Sequence, residues 1–119
     1  MATYRITTYT PEIDKAGTNA HVYITLFGAL GNSGERELDN QDQNFEQGKM
    51  DVFSITSQEL GNLQRIRIRH DGRDSNPGWF LDKIVVHNED TDREWTFPCN
   101  RWLASDEDDG LIDRMLDAS

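Results

Sequence analysis

Residues 63–86 read LQRIRIRH, DGRDSNPG and WFLDKIVV, and this stretch decides the fold because a polar turn separates two strand-like segments. In the first segment Leu63, Arg65, Arg67 and Arg69 alternate with Gln64, Ile66, Ile68 and His70. Successive side chains of a strand point to opposite faces, so Ile66 and Ile68 are predicted to face the core and the other row to face solvent. The second segment is continuously apolar at 84–86, which is typical of a central strand.

The same pattern recurs along the chain. Short segments rich in β-branched and aromatic residues, separated by Gly, Asn, Asp and Pro turns, predict strands near 4–9, 21–27, 35–38, 50–56, 63–70, 79–87 and 93–98. Residues 111–116 fit either a strand or one helical turn. No segment before residue 103 has convincing helical periodicity. We therefore predict an all-β fold of two packed antiparallel sheets, in a single domain spanning 1–119.

Composition excludes several classes of function. The formal net charge of −10 disfavours binding to nucleic acid or direct attraction to anionic membranes, because both depend on Lys and Arg. No apolar run approaches the roughly 18 residues that a transmembrane helix needs. A strand-like segment begins within a few residues of Met1, where a secretory signal would show a basic start and an apolar run. The chain is expected to be cytoplasmic or peripheral to a membrane, or a domain of a longer protein, and to be a monomer or module.

An enzymatic role is not expected. Cys99 is the one cysteine, and the three histidines lack the spacing of a zinc site. Cys99 follows an alternating segment and is predicted to be a small buried residue. His70 and Asp71 are adjacent, but adjacent strand residues point to opposite faces. The sequence therefore shows no nucleophile with a neighbouring base and no paired catalytic carboxylates.

Three polar loops between the predicted strands are rich in oxygen-bearing side chains. They are residues 12–19, residues 39–44 and the polar turn 71–78 that opens the stretch 71–82, which we call the first, second and third loops. Calcium takes six to eight oxygen ligands in flexible loops, so this chemistry predicts a Ca²⁺ site if the loops meet. Asp and Asn also form turns by hydrogen-bonding their own backbone, which leaves a purely structural role open. The second loop does not follow the EF-hand pattern.

The sequence resembles the PLAT domain family, also called LH2. Four blocks carry the resemblance in order: AGTNAHVYI at 16–24, FEQG at 45–48 with Asp51 and Phe53, HD at 70–71 with PGWFLD at 77–82, and FPCNRWLA at 97–104. The pattern is most similar to the PLAT repeats of stereocilia proteins and of polycystin. The resemblance implies an eight-stranded antiparallel β-sandwich of two four-stranded sheets. It also implies a non-catalytic module that docks onto membrane lipid headgroups or a protein partner, with several relatives binding calcium at one end.

The resemblance also implies candidate calcium ligands. They are Gly17, Thr18 and Asn19 in the first loop, Asp39, Asn40, Asp42 and Asn44 in the second, and Asp71 and Asp74 in the third. Many relatives carry Asp where this chain has Asn19, and the lost charge should weaken the site. The alternative is a calcium-independent protein–protein interaction module.

Apolar side chains at the loop tips distinguish membrane-docking relatives, and this chain has few. Ile13 is the one apolar residue noted at the tips of the first and third loops, so Ile13 is a candidate membrane or partner contact. Trp102 is a second candidate, with a structural role as its alternative. Trp79 is predicted to lie in the core. The arginines of 65–69 are interpreted as cross-strand partners of acidic residues, or as a site for an acidic partner.

Overall fold

The chain folds as nine β-strands in the computed structural model, which describes residues 1–13, 17, 21–38, 45, 48–71, 78–104 and 110–119. The strands are β1 (Ala2–Tyr9), β2 (Val22–Gly28), β3 (Gly31–Asn32), β4 (Arg36–Glu37), β5 (Met50–Ser57), β6 (Leu63–His70), β7 (Trp79–Asn88), β8 (Arg93–Leu103) and β9 (Asp113–Asp117). The ambiguous segment near 111–116 is thus a strand. Within the described residues there is no helix that could cross a membrane.

The strands form two antiparallel sheets, and the predicted all-β sandwich is confirmed. The first sheet has the order β5-β1-β7-β8, and the second has β3-β2-β6-β9 with β4 also paired to β2. The second sheet counts five strands because β3, at Gly31–Asn32, was not predicted from the sequence, whereas β4 lies within the segment predicted at 35–38. Both β3 and β4 pair with β2, so the sandwich keeps its two-layer plan.

The core lies between the two sheets, as the alternation predicted. Ile66 and Ile68 on β6 are fully buried, and so is Trp79 at the start of β7. The Trp79 ring meets the Phe45 ring edge-on at 5.0 Å, and its Nε1 donates a hydrogen bond to Thr10 Oγ1 at 2.8 Å. This hydrogen bond satisfies the one polar atom of the indole, so the ring can be buried without an unpaired donor.

Predicted side-chain orientations are wrong at two places in the fold, and each place lies next to a β-bulge. Leu63 is buried and Gln64 exposed, because the register between β2 and β6 shifts where Phe27 pairs with Arg65 and Gly28 with Leu63. Cys99 is half-exposed rather than buried. It belongs to an irregularity in β8 where two residues lie opposite one residue of β7. A bulge changes the alternation of side chains, which a period of two cannot anticipate.

The outer face of the second sheet carries a ladder of cross-strand ion pairs. Arg65 pairs with Asp117, Arg67 with Asp113 and Arg69 with Glu35. The Arg69 guanidinium also lies 4.3 Å from the centre of the Tyr23 ring. The pairs of Arg65 and Arg67 link β6 to β9 and match the cross-strand interpretation of the arginine stripe, whereas Glu35, the partner of Arg69, lies just before β4. The hydrogen bond from Arg67 lowers the pKa of Asp113, and the hydrogen bond from Arg69 lowers the pKa of Glu35.

We expect the free energy of unfolding to fall as pH is lowered from about 5 towards 2. A carboxylate with a lowered pKa stabilises the fold fully above its unfolded-state pKa of about 4, and this stabilisation is lost as pH falls through its folded-state pKa. Urea unfolding at neutral and acidic pH measures the change. Asp113→Asn should make stability depend less on pH, whereas Glu94→Gln, which removes an exposed carboxylate of β8, should not. An unaltered pH dependence in Asp113→Asn would contradict the assignment.

Candidate functional site

Four connecting segments leave the sandwich at one end, which we call the loop end. The registers place Tyr9 opposite Met50 and Lys83, and His70 opposite Val22, so the strands that flank all three predicted loops end there. The turn between β8 and β9 is at the same end. Contacts across the sandwich confirm this, because His70 of the second sheet contacts the carbonyl of Leu103 in the first sheet, 2.6 Å from Nε2.

His21 connects the bases of the first three loops. Its backbone N–H donates to Asp71 Oδ1 at 3.3 Å, and its carbonyl accepts from the Asp71 N–H at 3.1 Å. Its ring Nδ1 lies 2.7 Å from Glu37 Oε2, at the end of β4 where the chain enters the second loop. His21, which follows the first loop, is therefore held to Asp71 at the start of the third loop. It is also held to Glu37, which lies shortly before the second loop. The sequence offered no signal for this role of His21.

The second loop is anchored in the core by Phe45. The Phe45 ring is buried, stacks on Phe53 with centres 5.5 Å apart, and meets Trp79. Its φ of 60° is an outlier for a bulky residue and costs roughly 1–3 kcal/mol. The buried carboxylate of Asp51 holds this backbone, because Oδ2 accepts from the Phe45 N–H at 2.8 Å. Asp51 shares the core-facing row of its strand with Phe53 and Ile55. An acidic residue in such a row could have indicated from the sequence that a buried carboxylate accepts a backbone hydrogen bond.

The end of β6 connects to the segment between β8 and β9. His70 is buried, and its backbone N–H donates to the Ile112 carbonyl at 3.1 Å. Burial lowers the pKa of the His70 imidazole. The Ala104 N–H donates to the Leu111 carbonyl at 3.1 Å, which closes the base of this segment. All four connecting segments thus start from hydrogen-bonded positions on a rigid sandwich, a typical platform for a binding site.

Comparison with models of known protein families identifies the family of this chain. Residues 4–116 match the family model of the PLAT/LH2 domain. The chain belongs to the PLAT/LH2 family. This agrees with the resemblance predicted from the four sequence blocks, and it covers nearly the whole chain.

This PLAT domain is similar to parts of much longer proteins. It is 45% identical over 113 residues to mouse (Mus musculus) lipoxygenase homology domain-containing protein 1, covering 95% of this chain and 6% of that protein. It is 40% identical over 115 residues to human (Homo sapiens) polycystin-1-like protein 3, covering 95% of this chain and 7% of that protein. Among solved structures, coral 8R-lipoxygenase, with calcium activation via a C2-like domain, matches with a TM-score of 0.86 and 27% identity. That match covers 98% of this chain and 17% of the lipoxygenase chain.

Two of the candidate calcium ligands in this PLAT domain lie among the described residues. Gly17 is half-buried in the first loop. Asp71 is half-buried at the junction with His21. The other candidates lie outside the described residues: Thr18, Asn19, Asp39, Asn40, Asp42, Asn44 and Asp74. Within the described part of the chain, no group of three or more His, Cys, Asp or Glu is arranged to hold a metal ion. The ligand set therefore stays a prediction.

Apolar side chains at the loop end of the PLAT domain include one that sequence analysis missed. Ile13 is 39% exposed, and Leu111 is 49% exposed next to Ala104. Leu111 was overlooked because it belongs to the segment 111–116, which was interpreted as a strand or one helical turn rather than as a loop. Trp102 is half-buried, and its ring meets Phe80 edge-on at 5.4 Å. Trp102 thus has a packing role, and its predicted contact with a membrane or partner stays a prediction.

Proposed function

We propose that this PLAT domain is a non-catalytic calcium-binding module that mediates association with membrane lipid or a protein partner. The proposal treats residues 1–119 as one domain, with Ca²⁺ held by the first, second and third loops. The observation that carries it is the junction at His21, which joins the bases of these loops around the carboxylate of Asp71. The likeness to a lipoxygenase with calcium activation via a C2-like domain supports the choice of metal.

The donor chemistry of the loops fits calcium. We propose Gly17, Thr18, Asn19, Asp39, Asn40, Asp42, Asn44, Asp71 and Asp74 as the residues that supply its oxygen ligands. Asp71 Oδ1 accepts from the His21 N–H, and a ligating carboxylate is commonly oriented by such a hydrogen bond. Several acids that converge at one end repel each other, and a divalent cation removes that repulsion. Calcium binding should therefore stabilise the folded domain.

Calcium would couple the loop end to a lipid surface. A bound cation can bridge loop carboxylates and anionic headgroups, which the acidic protein would otherwise repel. Ile13 and Leu111 add exposed apolar area at the same end. Fully burying one such side chain contributes about 1.5–3 kcal/mol, which alone gives affinity no tighter than millimolar. Attachment is therefore expected to need both calcium and these side chains.

Co-sedimentation with vesicles tests this function. The domain should sediment with vesicles of phosphatidylcholine and phosphatidylserine in millimolar calcium, and should stay in solution with chelator or with magnesium. Ile13→Ser combined with Leu111→Ser should weaken sedimentation about tenfold or more, since each exposed side chain contributes about 1 kcal/mol or more on insertion.

The matched control is Leu30→Ser, which removes a 66%-exposed leucine from the turn after β2, at the opposite end of the sandwich. It should leave sedimentation unchanged. Sedimentation with vesicles that persists in chelator would contradict the calcium-dependent lipid role. A domain that takes up calcium but sediments with no vesicle would contradict it as well. The latter result would favour a protein as the partner.

A further inference from the structure

The outer faces of the two sheets differ in character. The outer face of the second sheet is covered by the ion-pair ladder of Arg65, Arg67 and Arg69. On the first sheet, the outward row of edge strand β5 exposes Met50 by 54% and Val52 by 43%. Thr7 lies opposite Val52 in the neighbouring strand β1. This half of the first sheet therefore presents apolar surface close to the loop end.

A shallow depression of about 230 Å³ opens on this face beside Met50. Its lining residues are Tyr9, Thr10, Pro11, Glu12, Gly48, Lys49, Met50 and Asp82. Pockets for small-molecule ligands measure about 300–1,000 Å³, so this one is of a size for a single side chain. Its walls combine apolar groups with carboxylates, which suits a side chain with an apolar stem and a charged head.

Asp82 gives the depression an unsatisfied acidic group. It lies in central strand β7, at the irregularity where Leu81 pairs with Arg101 and Lys83 with Pro98. Bulges of this kind re-aim side chains. The Asp82 side chain is half-buried and makes no hydrogen bond or ion pair with any of the residues that the structure describes. A partly desolvated carboxylate gains from a cationic partner.

The other charges near the depression leave it acidic. The Glu12 carboxylate lies over Gly48, where an added Cβ would be 1.8 Å from Oε1, and Gly48 has a φ of 71° that favours glycine. Lys49 lies 3.3 Å from the buried Asp51, which offsets its charge. Lys83 places its ammonium 4.9 Å from the centre of the Tyr9 ring. Lys83 keeps its positive charge, which offsets one of the two carboxylates of Glu12 and Asp82. Recognition of a cationic ligand therefore falls to Asp82, which has no partner among the residues that the structure describes.

We propose that this depression receives a Lys or Arg side chain of a protein partner that docks on the outer face of the first sheet. The charged head pairs with Asp82, and apolar residues flanking it pack on Met50 and Val52. Charge complementarity selects this occupant, because the depression is acidic and a lipid headgroup phosphate would be repelled. The surface uses none of the proposed calcium ligands, so its binding does not require calcium.

Amide chemical shifts during a peptide titration test the proposal. The probe is a short synthetic peptide with one central arginine flanked by leucine and valine, added to the whole domain in the presence of chelator. We expect saturable shifts at Tyr9, Met50 and Asp82. A peptide with glutamine in place of the arginine should bind about fivefold more weakly, which is the upper end of the range for a solvent-accessible ion pair.

Asp82→Asn should weaken binding of the arginine peptide by the same factor, since the substitution removes the charge of the side chain and keeps its shape. The matched control is Glu94→Gln, which removes an exposed acid at the other end of the same sheet. It should leave the affinity unchanged. The proposal is overturned by equal binding of the two peptides, by unchanged affinity in Asp82→Asn, or by shifts confined to Gly17 and Asp71. Perturbation of Tyr9, Met50 and Asp82 by phosphatidylserine vesicles but not by the peptide would also overturn it.

Discussion

Trp79→Ala should lower the free energy of unfolding by about 3–5 kcal/mol, enough to unfold much of a domain of ordinary stability. Trp79 is fully buried where β7 begins, and its ring packs against Phe45. The substitution leaves a cavity beside Phe45 and removes the donor to Thr10 Oγ1. Urea unfolding followed by far-ultraviolet circular dichroism measures the change.

Trp102→Ala is the matched control for this prediction. Trp102 is half-buried on the outer face and contacts Phe80, so its removal leaves no enclosed cavity. We expect a loss of about 1 kcal/mol, close to the centre of the distribution for point substitutions. Equal losses in the two variants, or a loss below about 1 kcal/mol in Trp79→Ala, would show that the core is not organised around Trp79.

Asp39→Ala together with Asp71→Ala should abolish measurable calcium binding while the sandwich stays folded. The two acids belong to different loops, so the double variant removes charged ligands from two sides of the proposed site. Asp71 also accepts from the His21 N–H, and a modest loss of stability is expected from that contact. Isothermal titration calorimetry with calcium measures the binding, and circular dichroism checks the fold.

A control variant separates ligand loss from loss of net charge. Asp90→Ala with Glu94→Ala removes two exposed acids from the hairpin between β7 and β8, at the opposite end of the sandwich. It should bind calcium with unchanged affinity. Calcium affinity that survives in Asp39→Ala with Asp71→Ala would refute the assignment of the loops.

Much of the fold could be predicted from local pattern. The alternation in 63–70 placed Ile66 and Ile68 in the core, and the continuous apolar run of 84–86 marked the central strand β7. These predictions succeed because burial on one face of a strand imposes a period of two on the sequence. The positions of Leu63 and Cys99 could not be predicted, because each lies next to a bulge that depends on register with a neighbouring strand.

The types of side chain in the candidate loops could be read from the sequence, but the contacts that hold the loops in position could not. Oxygen-rich loops are visible in the sequence, whereas the junction at His21 depends on pairing between β2, β4 and β6. Phe45 adopts a positive φ that its residue type disfavours, and only its core contacts and Asp51 account for it. Long-range contacts of this kind leave no local pattern, so sequence analysis proposed ligand types but missed the residues that position the loops.

Thermal unfolding with excess chelator, with millimolar calcium and with millimolar magnesium tests the calcium site most directly. A ligand that binds only the folded state stabilises it by RT ln(1 + [L]/Kd), which is about 2.7 kcal/mol when free calcium is one hundred times Kd. For a domain of this size we predict a rise in Tm of several degrees with calcium and little or none with magnesium. An unchanged Tm in calcium would contradict the account and leave the loop acids as turn-forming and solubilising residues.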